Sequence, residues 1–231
     1  MKDCSNLRIL HPGACGMDYH EGRLRKRQCM YRLNRRTLEV REAIECHQDK
    51  PTRIILDLGT ADGLMLVRLK ETFQNTTFIG TDCCFELLQT IHTDGIHKLQ
   101  CDAQCLPIES ASMDVVIATA LIEHLSKANI FMKECARVLR SHGLLVLTTP
   151  DPQMDKVATF LGILKDVGHQ KSFCLEELLS LCRNNDFNIL EAKKFMFSPI
   201  GFPAERTFEK LLRALRMDFL MANQLLVARR N

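Results

Sequence analysis

The chain is expected to fold as an α/β protein on a mostly parallel seven-stranded sheet, with one antiparallel edge strand and helices on both faces. Three observations predict this. From residue 53 onward, short apolar runs alternate with longer helix-like stretches, and strands that alternate with helices pair in parallel through right-handed crossovers. The runs are apolar nearly throughout, as in strands buried on both faces. At 231 residues, 46% hydrophobic and 26% charged, the chain has the make-up of a globular protein with room for one large α/β domain.

Residues 1–28 show no sustained periodicity, and the HPG and ACG turns within them read as loop or arm, so residues 1–30 are expected to precede a single domain over 31–231. From Tyr31 to Gln48, Leu33, Leu38, Val40 and Ile44 alternate with arginines, which suits an amphipathic helix that ends before Pro51. Buried strands follow at Arg53–Leu58, Thr77–Thr81, His97–Cys101, Met113–Thr119 and Gly143–Thr149. Helices are expected between them at Leu64–Phe73, Phe85–His92 and Asn129–Arg140. After Pro150 comes the helix Leu175–Asn184, then strand candidates Phe187–Phe197 and Met221–Ala228, which can pair antiparallel at the sheet edge. The long segment Ala204–Leu220 lies between them. Its Leu211, Leu212, Leu215 and Phe219 recur at helical spacing with Glu209, Lys210, Arg213 and Arg216 interspersed, a pattern expected to pack on the core or cover a site rather than to lie on a membrane surface. Residues 151–220 would thus hold lid or substrate elements.

Thirty-one basic against 28 acidic residues lack the strong excess of a nucleic-acid binder, so any basic surface is local. Eleven cysteines include no Cys-x-x-Cys pair and no Cys/His array of zinc-ligand spacing, so no metal site is assigned. The first twenty residues lack the apolar stretch of a secretory signal. No apolar run reaches transmembrane length. These observations lead to the expectation of a cytoplasmic protein with free, mostly buried thiols.

Asp57-Leu58-Gly59-Thr60-Ala61-Asp62-Gly63 stands where the first strand gives way to a helix, the usual place for a ligand in an open α/β sheet. A dinucleotide fingerprint would need glycine where Leu64 stands. Instead, small residues fall at every second position, Gly59, Ala61 and Gly63, shortly after an acid. A tight strand-to-helix turn would explain the loop alone. Two further acids favour more: Asp82 ends the second strand, where a carboxylate can take both hydroxyls of a ribose, and Asp102 ends the third, where it can meet an adenine amino edge. Three acids at three successive strand ends describe a pocket for a nucleoside without phosphates.

With these residues the sequence resembles the class I S-adenosylmethionine-dependent methyltransferases, a Rossmann-like family, and within them the group that includes the ubiquinone-biosynthesis enzymes. DLGTADG is similar to the first motif, GTD to the ribose-binding acid, DAQCLPIESASMDVVIATALIEHL to the third-to-fourth-strand signature, and KECARVLRSHGLLVLTTPDP to the helix and fifth strand. The similarity is dense from Arg53 to Pro152 and thinner through GHQKSFCLEELLSLCRNNDFNI. Two positions depart from the family: Ala61 replaces the middle glycine, and Ser141-His142-Gly143 replaces Pro-Gly-Gly. Ala61 is tolerable where its φ is negative. The resemblance implies S-adenosyl-L-methionine as cofactor. Asp57 and Gly59 would hold its aminoacyl end, and Thr60, Ala61 and Gly63 would shape the loop beneath. Asp82 would take the ribose, Cys83 would flank the adenine, Asp102 would bind its amino group and Ala103 would offer backbone. Ala118 and Thr119 would line the pocket near the methyl group.

Methyl transfer needs a base only where the acceptor must lose a proton. Glu123, His124 and His169 are the candidates, with the alternative that Glu123 starts a helix and His124 packs on it. The expected acceptor is a small molecule, sugar-linked, quinone-like or lipid, methylated at oxygen or carbon. Nucleic acid is a second reading, carried by Arg23, Arg25, Lys26, Arg27, Arg32, Arg35, Arg36 and Arg41 against the single acid Glu39, although such a run is more often a solvated face. A non-catalytic, cofactor-binding partner subunit is a third.

Overall fold

A computed structural model describes residues 17–160, 171–198 and 200–231. Helices α1 (Met17–Arg25) and α2 (Arg27–His47) precede the sheet. Then β1 (Ile54–Leu58), α3 (Leu64–Thr72), β2 (Thr77–Asp82), α4 (Phe85–Gln89), β3 (Ile96–Gln100) and β4 (Met113–Thr119) alternate. After a short 3-10 turn, Ile122–His124, come α5 (Ala128–Val138) and β5 (Leu139–Pro150), followed by α6 (Pro152–Phe160) and α7 (Leu175–Arg183). The chain closes with β6 (Phe187–Phe195), α8 (Glu205–Ala214), a second 3-10 turn and β7 (Asn223–Arg230).

The sheet runs β3-β2-β1-β4-β5-β7-β6. All pairs from β3 to β5 are parallel, while β7 runs antiparallel to both β5 and β6. The single antiparallel strand expected at the edge is therefore β7, placed next to last, with β6 outermost. Each central strand sends alternate side chains to opposite faces. Val116 and Ala118 of β4 pack with Leu56, Leu58, Leu145 and the α5 residues Phe131 and Cys135. Val115 and Ile117 face the other way, onto Ile44 of α2 and Leu66 and Leu69 of α3. Cys101, Cys135 and Cys182 belong to this packing, and burial pushes the thiols of Cys101 and Cys182 up to about 12, which keeps them protonated and unreactive.

Local chemistry explains the best-defined ends. Glu177 accepts the Cys174 amide at 2.9 Å and, with Glu176, lies in the first turn of α7, where carboxylates satisfy free amides and oppose the helix dipole. At β5 the expected boundary moves: α5 ends at Val138 and the strand begins at Leu139. A register shift between Met113 and Val115 and a left-handed His142, φ 64°, absorb the extra residues.

Two expectations are corrected. The arm expected over residues 1–28 is helical from Met17 to Arg25. Its apolar periodicity is weak, and its His20 and Arg23 pair with Asp62 of the glycine loop, so the local sequence carries little signal of it. The apolar stripe of Ala204–Leu220 is not buried as a set. Leu212 is buried, but Leu211, Leu215 and Phe219 are 54%, 59% and 50% exposed. Glu205 and Glu209 point inward instead, because buried amides and Arg35 need them. Glu209 accepts from Arg35 Nη2 at 2.9 Å and from the amides of Met196 and Phe197 at 2.9 and 3.2 Å, while Glu205 takes the Ser198 amide at 2.7 Å.

Candidate cofactor and acceptor site

Strands β1, β2 and β4 finish level, with Leu58 opposite Thr81 on one side and Ala118 on the other. Their carboxyl ends thus form one rim, as in other open α/β sheets. The glycine loop leaves this rim from β1 and is stitched to β2 by the Thr60 amide donating to the Thr81 carbonyl at 2.8 Å. Gly59 and Gly63 both have left-handed backbone, φ 71° and 67°. A Cβ on Gly59 would lie 2.9 Å from Leu121 Cδ1, and one on Gly63 2.7 Å from Ile91 Cδ1. Glycine is therefore required at both for conformation and for packing.

Ala61 sits in the same region, at φ 53°. The negative φ that would have made its Cβ harmless is absent, so the loop carries strain of about 1–2 kcal/mol. Its amide donates to Asp82 Oδ2 at 2.9 Å, and the Cys84 amide donates to Asp82 Oδ1 at 2.8 Å. Asp82 thus fastens the loop to the end of β2.

Asp57 is buried on β1, and among the described residues its Oδ1 has no hydrogen-bond partner. Burial, the largest cause, together with the nearby Asp82 charge raises its pKa to about 7, against the pull of Thr60 and Arg23. A buried carboxylate with an unused oxygen fits a cationic group arriving from outside. The donor set therefore suits the ammonium of an aminoacyl cofactor and would repel a pyrophosphate. Burial likewise raises Asp82, opposed by the amides of Cys84 and Ala61.

At the end of β3, Asp102 Oδ1 accepts the Gln104 amide at 2.8 Å, and Gln104 Oε1 accepts the Lys127 amide at 2.9 Å. This holds the 101–105 turn against the start of α5. Ala103 is buried and Cys83 half-buried, and burial pushes the Cys83 thiol up to about 12. Ala118 is buried and Thr119 half-buried at the end of β4. The structure thus brings the residues expected to hold cofactor to one rim.

The base candidates separate. Glu123 is buried in the 3-10 turn, its Oε2 accepting from the Thr149 hydroxyl at 3.0 Å. His124 is half-buried beside it, and His169 lies outside the described residues. A hollow of about 480 Å³ opens nearby, lined by Leu125, Ser126, Lys127, Asn129, Lys171 and Phe173 among others; none of the residues expected to hold cofactor lines it.

Sequence reasoning missed four participants: Asp62, His20, Arg23 and Leu121. Asp62, inside the loop, is buried and ion-paired to His20 at 3.0 Å and to Arg23, both on α1. Their spacing of three residues on one helix face was the available signal. Leu121, packed on Gly59, left none.

The fold and this rim define a class, and the comparisons agree with it. Residues 56–147 match the family model described as a methyltransferase domain. Over these residues the chain is a methyltransferase domain, similar to curated relatives named as S-adenosylmethionine-dependent methyltransferases. The chain is 30% identical over 101 residues to a ubiquinone biosynthesis O-methyltransferase of Bradyrhizobium diazoefficiens, covering 41% of this chain and 39% of that one. It is 26% identical over 127 residues to a fatty-acid O-methyltransferase of Mycolicibacterium smegmatis, covering 53% and 46%. The chain spans between a fifth and just under half of the length of the first curated relatives it matches. Among solved structures, an S-adenosylmethionine-dependent methyltransferase from Thermotoga maritima superposes with a TM-score of 0.65 at 19% identity, over 93% of this chain and 95% of that one. At that identity the likeness speaks for the fold alone.

Proposed function

We propose that the protein transfers a methyl group from S-adenosyl-L-methionine to a small-molecule acceptor. The observation that carries this reading is the buried Asp57 carboxylate with one unused oxygen, set under a loop that Asp82 fastens. When bound, the cofactor supplies an electrophilic methyl group on a sulfonium. The chain's own residues bind and orient. Asp57 accepts the ammonium and, with Gly59, seats the aminoacyl end; Thr60, Ala61 and Gly63 shape the floor. Asp82 takes the ribose hydroxyls, Asp102 the adenine amino group and Ala103 its ring edge through backbone, with Cys83 alongside. Ala118 and Thr119 stand by the methyl position, where in-line approach of the acceptor counts most. Helix α1, clamped to Asp62, covers the loop and excludes water.

Where the acceptor must shed a proton, half-buried His124 is favoured as the base over Glu123, which is buried and turned inward toward Thr149. His169 is the other candidate. A small acceptor is favoured over RNA because three arginines of the basic stretch are engaged within the protein, leaving Arg25, Lys26 and Arg27 as its exposed cations. Arg23 pairs with Asp62, Arg35 with Glu39 and Glu209, and Arg36 with Asn223. The ubiquinone-pathway and fatty-acid names of two relatives support a quinone-like or lipid acceptor.

Calorimetry with S-adenosylhomocysteine, followed by labelled methyl transfer to a panel of phenolic, lipid and sugar acceptors, tests the reading. Binding that Asp57→Asn weakens, with label passing to a small acceptor, is the expected result. Absence of S-adenosylhomocysteine binding would overturn it, and binding without transfer to any acceptor would favour a non-catalytic subunit.

A further inference from the structure

The connection between β6 and β7 carries a surface that the cofactor site does not use. Its position follows from register. Asn223, at the start of β7, pairs with Pro150 at the end of β5 and with Phe195 at the end of β6. Residues 196–198 and 200–222 therefore emerge at the carboxyl end of the sheet, the same end as the cofactor rim. Gly201 lies against the Tyr31 ring, which brings the segment onto the start of α2.

The charge and polarity of this segment are sorted by the inward turn of its acids. Glu205 and Glu209 are buried, leaving half-buried Asp218 as the remaining carboxylate between residues 200 and 222. Outward stand Ile200, Phe202, Leu211, Leu215, Met217 and Phe219, all exposed. Leu211 and Leu215 are one turn apart on the same face, and Phe202 is supported from beneath by Phe197 and Phe208, with ring centroids 6.3 and 5.8 Å away. Lys210 and Arg216 are exposed beside them. Arg206 pairs with Glu42 at its own exposed edge, and Arg213 is partly exposed near the buried Glu209. The result is a band of large apolar side chains flanked by cations, on a helix whose own acids face the interior.

We propose that this face, α8 with the turns on either side of it, docks the protein onto an anionic lipid surface. Apolar side chains flanked by Lys and Arg match the two halves of such a surface, acyl chains beneath and negative headgroups above. No helix among the described residues is long and apolar enough to cross a membrane, so the attachment is peripheral. Charge argues against a second copy, because a two-fold pairing of this patch would set its cations against the same cations. A nucleic acid would satisfy Lys210 and Arg216 but would leave Leu211 and Leu215 without a partner. Docking in this orientation turns the carboxyl rim of the sheet toward the bilayer. The inference stands apart from the methyl-transfer reading, since it concerns residues with no part in holding cofactor.

The test is co-sedimentation of the full chain, without cofactor, with phosphatidylcholine vesicles that contain or lack phosphatidylglycerol. Binding is expected to the anionic vesicles and to fall with added salt. It should drop at least about tenfold in Lys210→Glu/Arg216→Glu and in Leu211→Asp/Leu215→Asp, with melting temperatures confirming that both variants are folded. Failure of the wild type to bind, or variants that bind as well as it does, would overturn the proposal. So would a dimer in sedimentation velocity that Leu211→Asp/Leu215→Asp dissolves, since the face would then belong to a second copy. S-adenosylhomocysteine calorimetry on the same preparations keeps the two readings apart. In the wild type, cofactor binding without vesicle binding sinks docking alone, and vesicle binding without cofactor binding supports docking while sinking the methyltransferase reading; in the two variants, retained cofactor binding with lost vesicle binding supports docking.

Discussion

Arg23 of α1 donates to the carboxylate of Asp62 in the glycine loop, 39 residues away. The same guanidinium pulls on the titration of Asp57. A helix with little apolar signal of its own is thus held by the loop it covers, and the loop in turn is steadied by the helix.

Removing that clamp should loosen the site. Charge-assisted hydrogen bonds contribute about 1.5–3 kcal/mol, so Arg23→Ala is expected to weaken S-adenosylhomocysteine binding by about tenfold or more, read by calorimetry. A variant that binds as tightly as wild type would remove α1 from the site.

The left-handed backbone at Ala61 and His142, φ 53° and 64°, falls on the two stretches where this chain departs from the family's glycines. Glycine at either position should relieve about 1 kcal/mol of strain, partly offset by the greater freedom of the unfolded chain. For a chain of this size the net gain corresponds to about 1–4 °C in melting temperature. Unchanged or lowered melting in both Ala61→Gly and His142→Gly would contradict these conformations.

Asp57 sets the pH behaviour. Its folded pKa, about 7, lies above the ordinary 3.8, so the folded protein without cofactor holds a proton that the unfolded chain has released. Stability from this group is full below about pH 4 and is lost as pH rises through 7. Asp57→Asn should therefore raise the melting temperature at pH 8 and change it little at pH 4. An arriving ammonium needs the carboxylate, so S-adenosylhomocysteine affinity should rise from pH 6 to pH 8 with release of a proton, a dependence that Asp57→Asn abolishes. Calorimetry in buffers of differing ionisation enthalpy measures that proton directly.

Arg35 and Glu209 form a buried pair, 7% and 1% exposed at their side chains, with two bonds of 3.1 and 2.9 Å. Deleting Glu209 leaves Arg35 with Glu39 alone, and breaking such a buried pair costs about 3–5 kcal/mol. Glu209→Ala also frees the amides of Met196 and Phe197. Urea denaturation should show a loss of at least that size; a cost under 1 kcal/mol would mean that the pair is open to water.

The order of elements and the three acids at successive strand ends were legible in the sequence, because both depend on residues close together along the chain. Apolar runs such as Met113–Thr119 define a buried strand locally, and a strand-to-helix turn places Asp57, Gly59 and Gly63 with no help from afar. Asp82 and Asp102 follow by the same logic. Tertiary structure alone decided which face of α8 turns inward. Helical spacing favours burying Leu211 and Leu215, yet Glu209 is inside, where it meets Arg35, 174 residues earlier, and takes the amides of Met196 and Phe197, which would otherwise be buried unpaired. The course of α1 and the sign of φ at Ala61 were settled in the same way. Each depends on a carboxylate, Asp62 or Asp82, supplied by another part of the fold, and a periodicity within one segment carries no record of a partner outside it.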